Sequence, residues 1–156
     1  MSAPTPAVVA LQAAQVVHRL HVLDDLDGGY GALEVAEALG VRPDRVFKTL
    51  VLAHPGGHAV AVVPAPARLD PKAMARALSV KRVGLAGTEE AQRLSRSVVG
   101  AISPFGFTRS LPTVLDDSAT GHGTIFVSGG RRGLEVEVAP MDLVDALACA
   151  VVRIAR

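Results

Sequence analysis

"RVFKTLVLAHPGGHAVAVV" (residues 45–63) is the stretch on which the fold turns. Two apolar runs of strand length, 46–53 and 59–64, flank the turn-forming "HPGGH" at 54–58. Short apolar runs bounded by glycine and proline read as the arms of a β-hairpin. The first run carries an interruption. Val46, Leu50 and Leu52 share one face with Lys48, while Thr49 points to the other. Taking an ammonium out of water costs several kcal/mol unless partners compensate. Two readings follow for Lys48. It sits near a strand end and snorkels outward, or its face lines a pocket and the cation meets an anionic or carbonyl oxygen.

Upstream, Thr5-Pro6 reads as a helix cap followed by a first-turn proline, and the helix is expected to run to about His18. A short strand is expected at 20–24 and a glycine-rich loop at "DLDGGYG" (25–31). "ALEVAEALG" reads as a short helix stopped by Gly40. Downstream, Asp70-Pro71 opens a helix to about Ser79, "VKRVG" reads as a short strand, and Thr88-Glu89-Glu90 caps a helix through about Arg96. "SVVGAISPFGF" reads as strand, then loop. Further strands are expected at 111–115, 123–128 and 134–138. The stretch from Pro140 to about Ile154 reads as an apolar helix with Met141, Val144, Leu147/Ala148 and Val151 on one side. Helices interleave with strands and hairpins are present, so the pattern predicts a mixed α/β fold with a curved or closed mixed sheet and helices outside.

The 156 residues fit one domain, 1–156, with a sizeable core. Aromatics are 3% with no Trp, which leaves little from which to build stacking platforms for single-stranded nucleic acid. Net charge is +1, but it is unevenly spread. Residues 1–44 hold two bases against six acids, and residues 68–109 hold eight bases against three acids. The asymmetry is compatible with a polyanion approaching one side, while charge alone favours a plain solvated surface. One cysteine, Cys149, excludes an internal disulfide and a cysteine-based zinc site. Without a signal-type leader or a long apolar run, the expectation is a soluble cytoplasmic chain with no membrane partner.

Two glycine loops could present backbone groups to a ligand. In "GAISPFG" (100–106), Gly100 and Gly106 allow close backbone approach and Pro104 stiffens the loop; an ordinary connection has the same makeup. In "SGGRRGLEVEV" (128–138), alternation sets Leu134, Val136 and Val138 against Glu135 and Glu137, which a plain hairpin also explains. His54 and His58 are separated by Pro55-Gly56-Gly57, and His18, His21 and His122 match no ligand spacing, so no metal is expected. Ser103 lacks a nucleophile-elbow setting, and Cys149 reads as core. No protein nucleophile and no cofactor stand out.

Four stretches in order are similar to one family: "TPAV" (5–8), "VFKTLVL" (46–52), "VVGAISPFG" (98–106) with "LPTVLD" (111–116), and "TIFVSGGRRGLEVEVAPMDL" (124–143). Together they resemble the YbaK/EbsC-type aminoacyl-tRNA deacylases, and within them the bacterial Cys-tRNA(Pro) deacylases, relatives of the prolyl-tRNA synthetase editing domain. The resemblance implies a six- or seven-stranded, barrel-like mixed sheet surrounded by helices. It implies a trans-editing domain that hydrolyses the ester of a wrong amino acid on the tRNA acceptor end, with prolyl-tRNA synthetase as the candidate partner. It also implies that the thiol of a misattached cysteine attacks its own carbonyl. By the same resemblance, Lys48, Gly100 and Ser103 are the catalytic candidates, and Tyr30, Thr49, Ala101, Ile102, Pro104, Ser128, Gly129 and Glu135 line the substrate site. Three positions depart from the family pattern: Leu23 in place of a first-strand tyrosine, Ala101 in place of a glycine, and Glu135 in place of an aspartate. The alternatives are a deacylase for alanine or serine on tRNA, a non-catalytic RNA- or protein-binding relative, and a small-molecule binder using the same pocket.

Overall fold

A computed structural model describes residues 3–24 and 30–156 of the chain. The expected loop at 25–31 therefore falls, for residues 25–29, outside the described residues. The hairpin is present as β2 (Phe47–His54) and β3 (Gly57–Pro64), paired antiparallel from Phe47↔Pro64 to His54↔Gly57. Strand β1 covers Arg19–Val22, β4 Gly84–Leu85, β5 Thr113–Asp116, β6 Ile125–Ser128, β7 Leu134–Val138 and β8 Ala150–Val152. The strands form two sheets, ordered β1-β7-β6 and β4-β2-β3-β5-β8. Parallel pairing of β5 with β3 and β8 makes the larger sheet mixed. Among the described residues the sheets meet in one parallel bridge, Val46↔Phe126, and no closed barrel forms.

Five helices pack around them among the described residues: α1 (Pro6–Ala13), α2 (Ala32–Leu39), α3 (Pro71–Leu78), α4 (Thr88–Ser95) and α5 (Pro140–Leu147). Thr5 caps α1 by accepting from the Val8 amide, and Asp70 caps α3 by accepting from the Lys72 and Ala73 amides. None of the helices is long and apolar enough to cross a membrane among the described residues.

The larger sheet is buried on both faces. Val60 and Val62 face Ile125, Val127 and Val136 of the smaller sheet, with Leu11 of α1 and Leu143 of α5 completing that core. Ala59, Ala61 and Val63 face the opposite way, onto Ala73 and Met74 of α3. Smaller clusters seat α2 on Val46 and Phe126, and α4 on Val51.

Several expected boundaries are corrected. Helix α1 ends at Ala13, because Gln15 turns to φ 54°. Helix α4 begins at Thr88 with Gly87 as its cap, so Thr88 is not the capping residue. The expected strand within 97–107 does not form; the segment is an irregular loop held from α4, with Thr108 N–H donating to Leu94 O and Arg96 Nε to Gly106 O. The expected helix to Ile154 stops at Leu147, where Ala148 adopts a left-handed conformation, and the chain enters β8. Met141 is accordingly exposed, while Pro140 and Leu143 are buried.

Candidate functional site

The site is built by the divergence of the two sheets. Strand β6 touches the start of β2 at the Val46–Phe126 bridge, and β4 pairs with the far end of β2 at Leu52 and Ala53. Between these two points the edge of β2 is left open. A cavity of about 450 Å³ occupies that gap. Six consecutive residues of the β2 segment, from Val46 through Val51, line it. Successive side chains of a strand point to opposite faces. A cavity touched by all six therefore lies against the strand's edge. Lys48 and Thr49, on opposite faces of the strand, both line it.

The remaining wall comes from several elements. Tyr30 and Gly31 enter from the approach to α2, Leu85 from β4 and Ala86 just after it, Ala91 from α4, Gly100 and Ile102 from the loop, and Ser128 and Glu135 from β6 and β7. The lining of Leu85, Ala86 and Ala91 was not foreseen; small apolar residues on a short strand and a helix carry no chemical signature in a sequence.

Lys48 is half-buried, and its Nζ donates to Ala67 O at 2.7 Å. Desolvation lowers its pKa below the ordinary lysine value, and the nearby Arg68 guanidinium lowers it further. The ammonium keeps two protons for a ligand. Glu135 is 2% exposed, and the Tyr30 hydroxyl donates to its Oε2. Burial pushes its carboxyl up to about 8, so at neutral pH it holds its proton. Among the described residues no basic side chain forms an ion pair with it. The cavity thus carries a cation on one flank and a neutral, ionisable acid on another.

The loop at 100–106 is supported from below. Ser128 Oγ donates to Ala101 O at 2.8 Å and accepts from Gly130 N–H at 3.1 Å. The Gly129 carbonyl accepts from Thr5 Oγ1 at 2.6 Å, which ties the cap of α1 to the same region. Gly106 (φ +86°) lies against α1, where an added Cβ would stand 2.7 Å from Ala7 N.

Of the residues expected at the site, the structure gathers Tyr30, Lys48, Thr49, Gly100, Ile102, Ser128 and Glu135 around the cavity. Ala101, Ser103, Pro104 and Gly129 lie outside its lining. Ser103 is fully buried and its Oγ accepts from Phe105 N–H, a local bond that shapes the loop. Gly129 packs under Leu134, leaving no room for a Cβ. Leu23, just beyond β1, packs against the cluster of Val35, Ala36, Val46 and Phe126, as Tyr30 also does. No His or Cys lines the cavity. Cys149 packs against the core between the sheets, and burial pushes its thiol up to about 12.

Comparison with known proteins adds four findings. Residues 28–146 match the family described as the aminoacyl-tRNA editing domain. The chain is 37% identical over 110 residues to an Enterococcus faecalis protein bearing the provisional name Cys-tRNA(Pro)/Cys-tRNA(Cys) deacylase EbsC, covering 70% of this chain and 67% of that one. The fold is similar to a solved structure described provisionally as a trans-editing enzyme for prolyl tRNA synthetase (TM-score 0.88, 22% identity, 99% of both chains). It is similar also to a hypothetical protein of known structure (TM-score 0.85, 24% identity, 94% of this chain and 96% of that one).

Proposed function

The chain belongs to the aminoacyl-tRNA editing domain family, and from that premise we propose that it is a trans-editing deacylase that releases misattached cysteine from tRNA(Pro). The observation that carries this reading is a cavity bounded by an amine, a buried carboxyl and loop backbone, with no imidazole or thiol in its lining. Such a site lacks a Ser–His or Cys–His couple. It suits a substrate that brings its own nucleophile.

In this reading the cysteinyl sulfur attacks the ester carbonyl. A carbon–sulfur bond forms, the ester carbon–oxygen bond breaks, and the thiol proton passes to the departing ribose hydroxyl. Water then opens the cyclic thioester. Lys48 stabilises the negative charge that develops on the carbonyl oxygen, and a desolvated cation is more effective there than an exposed one. Main-chain groups at Gly100 and Ile102 hold the aminoacyl group beside it. Glu135 receives the α-ammonium, whose arrival supplies the cation that the buried carboxyl otherwise lacks.

The acceptor stem approaches across the basic segment 68–109, to which Arg68, Lys72 and Arg76 contribute. Phosphate contacts of this kind position a nucleic acid without reading sequence, so prolyl-tRNA synthetase is the candidate source of tRNA choice. The test is single-turnover hydrolysis of Cys-, Ser- and Ala-tRNA(Pro) side by side. The expected result is fast release of cysteine alone; equal rates for alanine would sink the substrate-thiol mechanism.

A further inference from the structure

Thr49 holds a hydroxyl that the fold leaves unused. The residue is 7% exposed, and its Oγ1 is buried with no hydrogen-bond partner among the described residues. The other buried side-chain atoms in that condition belong to Asp44, His58 and Arg131, none of which lines the cavity. Nearby, Tyr30 donates to Glu135, Ser128 to Ala101 O, and Lys48 spends one of its three protons on Ala67 O. An unpaired buried hydroxyl destabilises the fold. Valine would fill the same volume without that cost.

The backbone at this position is turned the same way. The Val46 carbonyl accepts from Ala65 on the β3 side, whereas the Val51 carbonyl accepts from Ala86 on the opposite side. Main-chain groups of alternate residues in a ladder point to the same neighbour. Thr49 has the parity of Val51, so its N–H and C=O face the open edge, beyond the reach of β4, which pairs only with Leu52 and Ala53. Thr49 thus lines the cavity with its main chain turned to the open edge, and its unpaired hydroxyl lies buried behind that wall, where a ligand meets it once the side chain turns.

The surroundings of Thr49 indicate what it meets. Phe47 and Val51 flank it on its own face of β2, and Val51 packs with Ala91, Leu94 and Ile102. That wall is apolar, which disfavours a charged ammonium and leaves room for a small, neutral polar atom. Resting on the deacylase reading, we propose that Thr49 is a specificity-determining residue whose hydroxyl pairs with the side-chain thiol or hydroxyl of the aminoacyl group. A site built to hydrogen-bond a substrate atom disfavours the analogue that lacks it, because the buried partner is then left unpaired.

Binding of non-hydrolysable, amide-linked cysteinyl-, seryl- and alanyl-tRNA acceptor minihelices tests this by calorimetry, separately from catalysis. The wild type is expected to bind the cysteinyl and seryl forms about tenfold more tightly than the alanyl form, the size of one neutral hydrogen bond. Thr49→Val is expected to bring the three affinities together, with a melting temperature no lower than the wild type, and Thr49→Ser to preserve the preference. Thr49→Ala serves the same purpose if the valine variant does not fold. A preference that persists in Thr49→Val or Thr49→Ala, or that is absent from the wild type, overturns the role of Thr49 alone. Failure of the wild type to bind any aminoacyl form overturns the deacylase reading and this inference with it.

Discussion

The Lys48 amine rests on the carbonyl of Ala67, 2.7 Å away, at the rim of a cavity that the next residue, Thr49, enters from the opposite face of the strand. That carbonyl fixes the direction of the side chain and leaves the charge in place. The apolar neighbours Leu50 and Leu52 belong to the cluster under α3, so the ammonium borders the core without entering it.

Lys48→Ala is expected to lower single-turnover release of cysteine from tRNA(Pro) by about tenfold or more, the scale of losing one electrostatic donor to a developing oxyanion. Its circular dichroism and melting temperature should stay near those of the wild type, because the amine satisfies one carbonyl and buries little apolar surface. An unchanged rate removes Lys48 from the mechanism.

Glu135 gives the folded chain a distinctive pH response. Folded, it keeps its proton up to about 8; unfolded, it loses the proton near its ordinary 4.5. Between those values the unfolded state binds fewer protons, so stability falls as pH rises through that window. Glu135→Gln keeps an acceptor for Tyr30 and has no proton to lose. Urea midpoints taken stepwise across the window should fall more steeply with pH for the wild type than for the variant.

Asp116 responds with the opposite sign. It is 3% exposed; burial works against its charge, but Ser118 and the amides of Ile154, Ala155 and Ser118 outweigh burial and hold its pKa below the ordinary 3.8. Its contribution is therefore complete above that value and is lost as pH falls through the lower folded value. Asp116→Asn is expected to cost about 1.5–3 kcal/mol at neutral pH, the worth of hydrogen bonds to a charged group. The difference from the wild type should shrink in acid; chemical denaturation at two pH values measures both.

Gly106→Ala is expected to destabilise by about 2 kcal/mol or more, since left-handed strain and overpacking each cost on the order of 1–3 kcal/mol. At φ +86° the added methyl would also meet backbone of Pro6 and Ala7 at 2.7 Å. Deacylation should fall with stability, because α1 and the 100–106 loop can relieve the clash only by moving apart. A variant as stable and as active as the wild type would show that this contact does not hold the loop.

Association with tRNA should weaken steeply with salt if the basic segment carries the acceptor stem, because each neutralised phosphate releases counterions. Filter binding at several salt concentrations, with charge-reversed Arg68 or Arg76 as controls, reads the slope. A salt-independent affinity would place the tRNA elsewhere.

The hairpin and the strands around it were legible because alternation and turn residues coincide there. The ends of α2, α3 and α4 were legible too, expected at Gly40, about Ser79 and about Arg96 and found there, whereas those of α1 and α5 were not. Only α2 stops at a glycine, Gly40; α3, α4 and α5 end at Ser79, Arg96 and Ala148 in left-handed conformations, and the chain beyond α1 does the same at Gln15. At Gln15 and Ala148 nothing in the residue types announces the turn. At the site, Lys48 stood out as a charge among aliphatics. The partnership of Tyr30 with Glu135 joins residues over a hundred positions apart, which local pattern cannot show. Nor could it show that both faces of β2 serve one cavity, since that follows from where β4 and β6 stop.

The bridge between Val46 and Phe126 acts as the apex of a wedge. Phe126 is held there by the Arg45 guanidinium, 5.0 Å above its ring, and by the His21 imidazole, edge-on at 5.5 Å. The breadth of the mouth then follows the angle at which the two layers part. Exchanges at His21 or Arg45, neither of which lines the cavity, are accordingly expected to change its width, much as the gape of a pair of tongs is set at the rivet.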